Sequence, residues 1–390
     1  MATVKTGRLI LAAILAILVY GMIAPMLGTL LPNLSVKFQL TPEQSGSIAF
    51  AQAIGLIVAS LCAGPLVDNK GKKTGLLISL ILVVIALFAL PSSNSYGQLM
   101  LWMLLLGLGG GTLVTSSNAL ASDVNPARRA ATLNMLNLFF GLGGLLTPFI
   151  AGNFLAGNAI GLCYLVAALT VATLVFNSAT AMPPPSGERG FKLSEVSAVL
   201  GRPSLYLLSF FMFLYVTCEV GVWNWLPKHL VSQGIGEQQA LTILSLGFAL
   251  GLLVGRLVVS RILMNVSAVA VTLGAALLMA VTTYLTLQTS DPTVAWVAVF
   301  CAGLAMAPVF PTTLAMTGDA FPKATATAMG IVVTSGWIGL AVSSKIIGAI
   351  AGGDDKRLKV ALLLLPVASL IMVVVNLILR PTLTKGKVSA

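Results

Sequence analysis

Apolar residues run along this chain in stretches of about 20, separated by short polar or basic breaks, and that is the length a helix needs to cross a bilayer core of about 30 Å. Six runs precede residue 180: Leu9 to Leu31, Ser45 to Val67, Thr74 to Leu90, Leu99 to Ala121, Ala130 to Leu155 and Ala159 to Ser178. Six more follow: Ser204 to Leu230, Gln238 to Val259, Ala268 to Leu287, Val294 to Thr317, Ala324 to Ala351 and Lys359 to Leu379. Lipid gives a backbone amide no partner, so each run is read as a helix, and the expected fold is an all-α membrane protein with twelve spans.

Composition agrees with lipid as the main solvent, since 57% of the 390 residues are hydrophobic and 8% charged, with mean hydropathy +1.00. Lys and Arg number 22 against 11 Asp and Glu. Threading the spans alternately from a cytoplasmic N-terminus puts 16 of those 22 cations inside, among them Arg8, Lys70, Lys72, Lys73, Arg128, Arg129 and Arg256. The basic balance is therefore read as a topology signal and not as a nucleic-acid surface. A multi-pass protein of the cell inner (plasma) membrane is expected, with both termini cytoplasmic. The first run follows basic residues but is too long for a cleaved leader. Cys62, Cys163, Cys218 and Cys301 stand singly in apolar runs, without metal or redox spacing, and read as packing residues.

Between the halves, Met182-Pro-Pro-Pro-Ser-Gly-Glu-Arg-Gly190 is too polar and proline-rich to span lipid. The expected organisation is a bundle over 1–181, a cytoplasmic linker over 182–203 and a second bundle over 204–390. Short patterns recur at matching places, as a duplicated transporter would leave them. Gly64-Pro-Leu-Val-Asp68 follows span two and Gly255-Arg-Leu-Val-Val follows span eight. Asp123-x-x-Pro126 precedes span five and Asp319-x-x-Pro322 precedes span eleven, where Pro suits a first helical turn and Asp can accept from free amides.

Gly64-Pro-Leu-Val-Asp68-Asn-Lys70-Gly71-Lys72-Lys73 resembles the G-x-L-x-D-r-x-G-r-k signature between spans two and three of the major facilitator superfamily. The resemblance implies two pseudo-symmetric six-helix bundles that rock about a mid-membrane site. It gives Gly64, Asp68, Lys70, Gly71, Lys72 and Lys73, with Arg128 and Arg129 in the span-four to span-five loop, a role in conformational gating. Three further stretches resemble the fucose permease and glucose/galactose symporter branch. They are Gly28-Thr-Leu-Leu-Pro32 with Leu40-Thr-Pro-Glu-Gln-Ser-Gly46, then Asn118 with Asn125-Pro-Ala-Arg-Arg-Ala-Ala-Thr-Leu-Asn134-Met-Leu-Asn137, and Phe213-Leu-Tyr215 through Glu219 to Trp223-Asn-Trp225. Acids that symporters of the branch carry in spans one and four fall at Gly28 and Val114 here, so coupling through those places is not available.

Glu219 is the one acid deep within a span. An ionised carboxylate there is expensive unless it pairs, protonates or binds substrate. It reads either as a proton-coupling or sugar-binding group or as a helix-packing hydrogen bond. Tyr215, Trp223 and Asn224 flank it on the same helix and supply the mixture of aromatic face and amide that suits a pyranose; Trp223 and Trp225 read equally as an interfacial aromatic belt. Asn118, Asn134 and Asn137 are either substrate contacts or interhelical glue. Gln52 and Trp337 are further cavity candidates. Lys345 is placed to snorkel toward headgroups, and His229 reads as surface-exposed. Gly141, Gly143, Gly144 and Pro148 partly resemble an exporter motif or serve helix contact.

The expected function is proton-coupled symport of a monosaccharide or related small polar solute by alternating access. A proton-driven exporter of drugs or amphipathic metabolites and a passive sugar facilitator are the alternatives. No enzyme motif, metal site or cofactor is expected, the partners are the solute, the proton and the bilayer, and a monomer is the expected state.

Overall fold

The computed structural model describes residues 6–124, 129–182, 200–263, 265–321, 325–352, 354 and 357–386, and among them every regular element is helical. In chain order these are α1 (Thr6–Ile23), α2 (Met26–Phe38), α3 (Pro42–Lys70), α4 (Lys72–Ala89), α5 (Tyr96–Val124), α6 (Arg129–Asn153) and α7 (Ala159–Ser178). The second half holds α8 (Pro203–Ser232), α9 (Glu237–Thr242), a π-helical stretch (Ile243–Ala249) and α10 (Leu250–Ile262). It continues with α11 (Ala268–Gln288), α12 (Pro292–Met306), α13 (Val309–Ala320), α14 (Thr325–Ala351), α15 (Leu358–Leu362) and α16 (Leu364–Gly386). Among the described residues twelve helical stretches are long and apolar enough to cross a membrane. The chain is thus a twelve-span membrane protein, with span one (α1 and α2) broken at Ala24–Pro25 and span ten (α12 and α13) at Ala307–Pro308. At both breaks proline withholds the amide that a continuous helix would need.

Helix ends are written in the sequence. Thr41 and Gln44 form a reciprocal capping box at the start of α3: the Gln44 amide donates to Thr41 Oγ1 (3.2 Å) and the Thr41 amide to Gln44 Oε1 (3.0 Å). Asp291 accepts from the Thr293 and Val294 amides (2.9 Å each) before Pro292 opens α12. The Asp-Pro starts read before spans five and eleven, at Pro126 and Pro322, lie outside the described residues.

The chain divides into two compact units, Met1–Leu40 with Ser47–Gly190 and Thr41–Gly46 with Phe191–Ala390. The linker read at 182–203 is outside the described residues apart from Met182 and 200–203. Within the first unit α3 and α5 touch backbone to backbone: a side chain at Gly55 would strike the Leu104 carbonyl, and one at Gly107 the Gln52 carbonyl. Within the second, Gly251 meets the Phe300 carbonyl of α12 and Gly303 the Phe248 carbonyl of the π-helical stretch. Lipid-embedded helices have no hydrophobic drive toward one another, so such close approach is what holds them. Gly55 and Gly251, and Gly107 and Gly303, are each separated by the same 196 positions, which is the true register of the internal repeat. Asp123 and Asp319 keep it. The match of Gly64 with Gly255 is five positions out of register (191 against 196), because Gly255 packs on Ala307 and Leu304 as the counterpart of Ala59.

Cross-helix hydrogen bonds complete each unit. Thr147 on α6 donates to the Met22 carbonyl of α1 (2.8 Å), Thr217 on α8 to the Gly339 carbonyl of α14 (3.3 Å), and Asn376 on α16 to Thr272 on α11 (2.7 Å).

Candidate functional site

The span-seven helix α8 carries the polar residues that set the second unit apart. Tyr215, Glu219 and Trp223 stand four residues apart and so share one face. That face looks toward the π-helical stretch and α13: Trp223 meets Phe248 edge-on with ring centroids 5.0 Å apart, and Tyr215 lies 6.4 Å from Phe310. Glu219 is half-buried, while Tyr215 and Trp223 are buried. The Tyr215 hydroxyl and the Trp223 side chain are turned toward the Glu219 carboxyl. The hydroxyl stops short of a well-formed hydrogen bond, which leaves it open to another partner.

Arg256 of α10 acts electrostatically on Glu219. Simple helix geometry accounts for this. From the Trp223–Phe248 contact, Glu219 lies about 6 Å along α8 and Arg256 about 12 Å along the antiparallel α10 in the same direction, a difference that an arginine side chain spans. Arg256, read from the sequence only as a cytoplasmic topology charge, therefore belongs with the deep acid. A π-helical turn widens the helix by one residue per turn and recurs at functional sites, and here it forms the floor on which Trp223 rests.

Asn224 is buried with its Nδ2 unpartnered. It stands about 100° around the helix from Trp223, and seven residues from Thr217, on the side that bonds to α14. It is therefore not on the Glu219 face. Trp223 and Trp225 are 7% and 1% exposed, which removes the aromatic-belt reading for both. Trp337 is half-buried on α14. His229, expected at the surface, is 0% exposed. Lys345 is exposed on α14.

In the first unit, Gln52 is buried on α3 where its backbone receives Gly107. The 196-residue register puts Gln52 in the place that Phe248 takes in the second unit. Asn118 is half-buried on α5 and Asn137 is exposed on α6; Asn134 lies on α6 with its side chain outside the described residues. At the level of Glu219 the first unit has Ile23 and Ala24, and opposite Arg256 it has Ser60. The deep charges among the described residues are thus confined to the second unit.

The basic loop after span two is a single-residue turn. α3 ends at Lys70, Gly71 takes φ 88°, and α4 begins at Lys72. Lys73 then donates to the Ser178 carbonyl (2.7 Å), and Arg8 donates to the Ala179 carbonyl (3.3 Å) while lying over the Phe176 ring (5.6 Å). Two cations from different helices thus cap the C-terminal end of α7, where the helix dipole favours them. The side chains of Asp68 and Arg129, the surroundings of Gly64, and all of Arg128 lie outside the described residues. Left-handed φ at a residue with a Cβ is strained, so Gly71→Ala is expected to destabilise the protein by about 1–2 kcal/mol, read as a lowered midpoint of thermal unfolding in detergent.

Among the described residues no group of three or more His, Cys, Asp or Glu is placed to hold a metal ion.

Residues 9–344 match the family model described as Major Facilitator Superfamily. The glucose/mannose transporter GlcP of Bacillus subtilis is 23% identical over 382 residues, spanning 95% of this chain and 94% of its own. The fold superposes on a variant of the nucleoside transporter NupG with a TM-score of 0.80, over 96% of this chain and 99% of that one, at 14% identity. On a variant of the E. coli fucose:proton symporter FucP the TM-score is 0.66, over 95% and 98%, at 16% identity. At these identities the structural likenesses speak to the fold alone.

Proposed function

This chain belongs to the Major Facilitator Superfamily and is a membrane transporter, and we propose that it carries a monosaccharide or similar polar solute together with a proton by alternating access. The observation that carries this reading is Glu219, a half-buried carboxylate in mid-span under the influence of Arg256 and faced by Tyr215 and Trp223. A carboxylate in such a place exchanges a proton against an ion pair at modest expense, because the guanidinium compensates the charged form and the apolar surroundings favour the neutral one. Trp223 supplies an aromatic ring whose face suits the C–H side of a sugar, while the carboxylate and the Tyr215 hydroxyl suit its hydroxyls. With Gly28 and Val114 in place of acids in spans one and four, Glu219 is the group on which coupling falls. The names of GlcP and FucP, a glucose/mannose transporter and a fucose:proton symporter, support the solute class and the ion.

The same reading orients both termini to the cytoplasm, with the Lys73–Arg8 cluster on that side, and has the monomer as the working unit. Export, the second reading, draws on the scarcity of deep charges and on the span-five glycines. Gly143 faces the backbone of Leu18 and Met22 on α1 while Gly21 faces the Phe140 carbonyl on α6, which supports the helix-contact reading of that glycine.

The test is uptake of labelled hexoses into proteoliposomes with and without an inward proton gradient. Saturable uptake that the gradient drives above equilibrium is expected. Saturable hexose flux indifferent to the gradient would assign a passive facilitator, and absence of flux for any hexose would remove sugars as the cargo.

A further inference from the structure

α14 and α16 both pack on α8 and scarcely on each other, so a groove floored by α8 opens between them. Leu214 and Thr217 belong to its floor, and its walls include Val342 and Ile346 of α14 and Val367 and Ile371 of α16, all four exposed. On α16 the exposed apolar stripe continues through Val374 and Ile378, the spacing of a helix face turned to lipid. The hydroxyl protons of the groove are committed, since Thr217 donates to the Gly339 carbonyl (3.3 Å) and Ser343 to the Leu340 carbonyl (3.3 Å). With no donor to spare and room of ≈ 70 Å³, more than a single water requires, the groove suits an apolar chain. It starts at Leu364, the first residue of α16, and reaches Ile371, about 10 Å down the helix.

Charge gathers where the groove meets the helix ends. Threading the spans leaves six of the 22 cations off the cytoplasmic side, and five of the six are Lys228, Lys345, Lys356, Arg357 and Lys359. In sequence these fall on span seven, on span eleven or in the turn before span twelve, the three spans that form the groove, against Asp354 and Asp355 in the same turn. Orientation by Lys and Arg disfavours such a gathering on that side, so it calls for an anion. Lys345 is exposed on α14 beside the wall residue Ile346 and three residues from Val342, and its apolar stem can lie along the lipid-facing surface while the ammonium reaches the helix end. Arg357 is exposed, with its guanidinium 3.8 Å from where a side chain on Gly352 would begin, just past the end of α14.

We propose that the groove between α14 and α16 binds an anionic phospholipid, with an acyl chain laid on Leu214 and Thr217 and the phosphate held by Lys345 and Arg357. The chain fills a space that α14 and α16 leave open and joins the two helices over α8. Under the proposed orientation the lipid belongs to the outer leaflet. The site lies on the lipid-facing side of the second unit and holds whichever solute is carried and whether or not Glu219 couples transport.

The experiment is thermal unfolding of the purified full-length protein in detergent at fixed ionic strength, titrated with phosphatidylglycerol, with phosphatidylcholine of the same chains, or with glycerol phosphate. Ligand binding stabilises by mass action, so phosphatidylglycerol is expected to raise the midpoint saturably, by at least about 2 °C more than phosphatidylcholine, and glycerol phosphate not at all. Combining Lys345→Gln with Arg357→Gln, both at exposed positions, should reduce the phosphatidylglycerol response to that of phosphatidylcholine. Val367→Trp, which fills the groove from an exposed wall, should move the response at least about fivefold to higher lipid concentration. Lys37→Gln removes a cation of the first unit and should leave the response unchanged. Equal stabilisation by the two lipids would overturn the proposal, as would a phosphatidylglycerol response that survives the double substitution or falls as far in Lys37→Gln. Stabilisation by glycerol phosphate alone would assign a free anion instead of a lipid.

Discussion

Replacing Glu219 with Gln should abolish proton-driven accumulation while leaving exchange of labelled for unlabelled solute intact. Gln keeps the volume and hydrogen-bonding capacity of a protonated Glu but cannot cycle its charge. One-to-one coupling to a gradient of one pH unit supports about tenfold accumulation, and the variant should fall to unity. Counterflow needs only that the loaded carrier reorient, so it should persist at a substantial fraction of the wild-type rate. Arg256→Gln should reach the same loss by another route: it leaves the carboxylate without its compensating charge, so Glu219 stays protonated and accumulation is lost along with its pH dependence. Measuring accumulation and counterflow side by side separates coupling from binding. If Glu219→Gln accumulates solute like the wild type, the coupling group is elsewhere. If it loses counterflow too, Glu219 is a substrate contact.

The second large effect concerns the helix pairs that set the repeat. Gly303→Leu puts a side chain onto the Phe248 carbonyl and beside the Leu252 amide, both backbone atoms that cannot turn aside. The expected destabilisation is about 3 kcal/mol or more, at or above the upper end of overpacking, and should appear as loss of monodisperse protein in size-exclusion chromatography. Gly107→Leu should behave alike, because Gly107 meets the Gln52 carbonyl in the same way 196 positions earlier. Gly274→Leu is the control: nothing lies within 4 Å of a Cβ there, and gaining a better helix former should leave stability unchanged or slightly raised. Equal tolerance of all three would mean that the close backbone approach is dispensable.

The spans were legible because lipid imposes one rule on every backbone amide, and run length reports it directly. Ser45 to Val67 fell inside α3 and Gln238 to Val259 inside the α9 to α10 span, with the helix ends carried a few residues further by caps such as Thr41 and Gln44. The repeat was legible at Asp123 and Asp319 but misregistered at Gly64 and Gly255. Glycines are chosen for what they touch on another helix, and that contact is silent in a one-dimensional match. The same limit hid Arg256. Its distance from Glu219 along the chain is long, and only the antiparallel neighbouring of α8 and α10 makes the two charges adjacent. His229 stands in a basic pair at a span end, which normally faces water, whereas here it is fully buried. The π-helical stretch left no mark in composition, since Ile243–Ala249 is as apolar as any α-helical run.

Solute-driven proton movement bears most directly on the proposed chemistry. Proteoliposomes loaded with a pH-sensitive dye and held at symmetric pH, with membrane potential clamped, receive a saturating hexose pulse. Lumenal acidification in step with hexose entry is expected for the wild type, and none for Glu219→Gln. Hexose entry with no change in lumenal pH in the wild type, or equal acidification in the variant, would contradict proton coupling at Glu219.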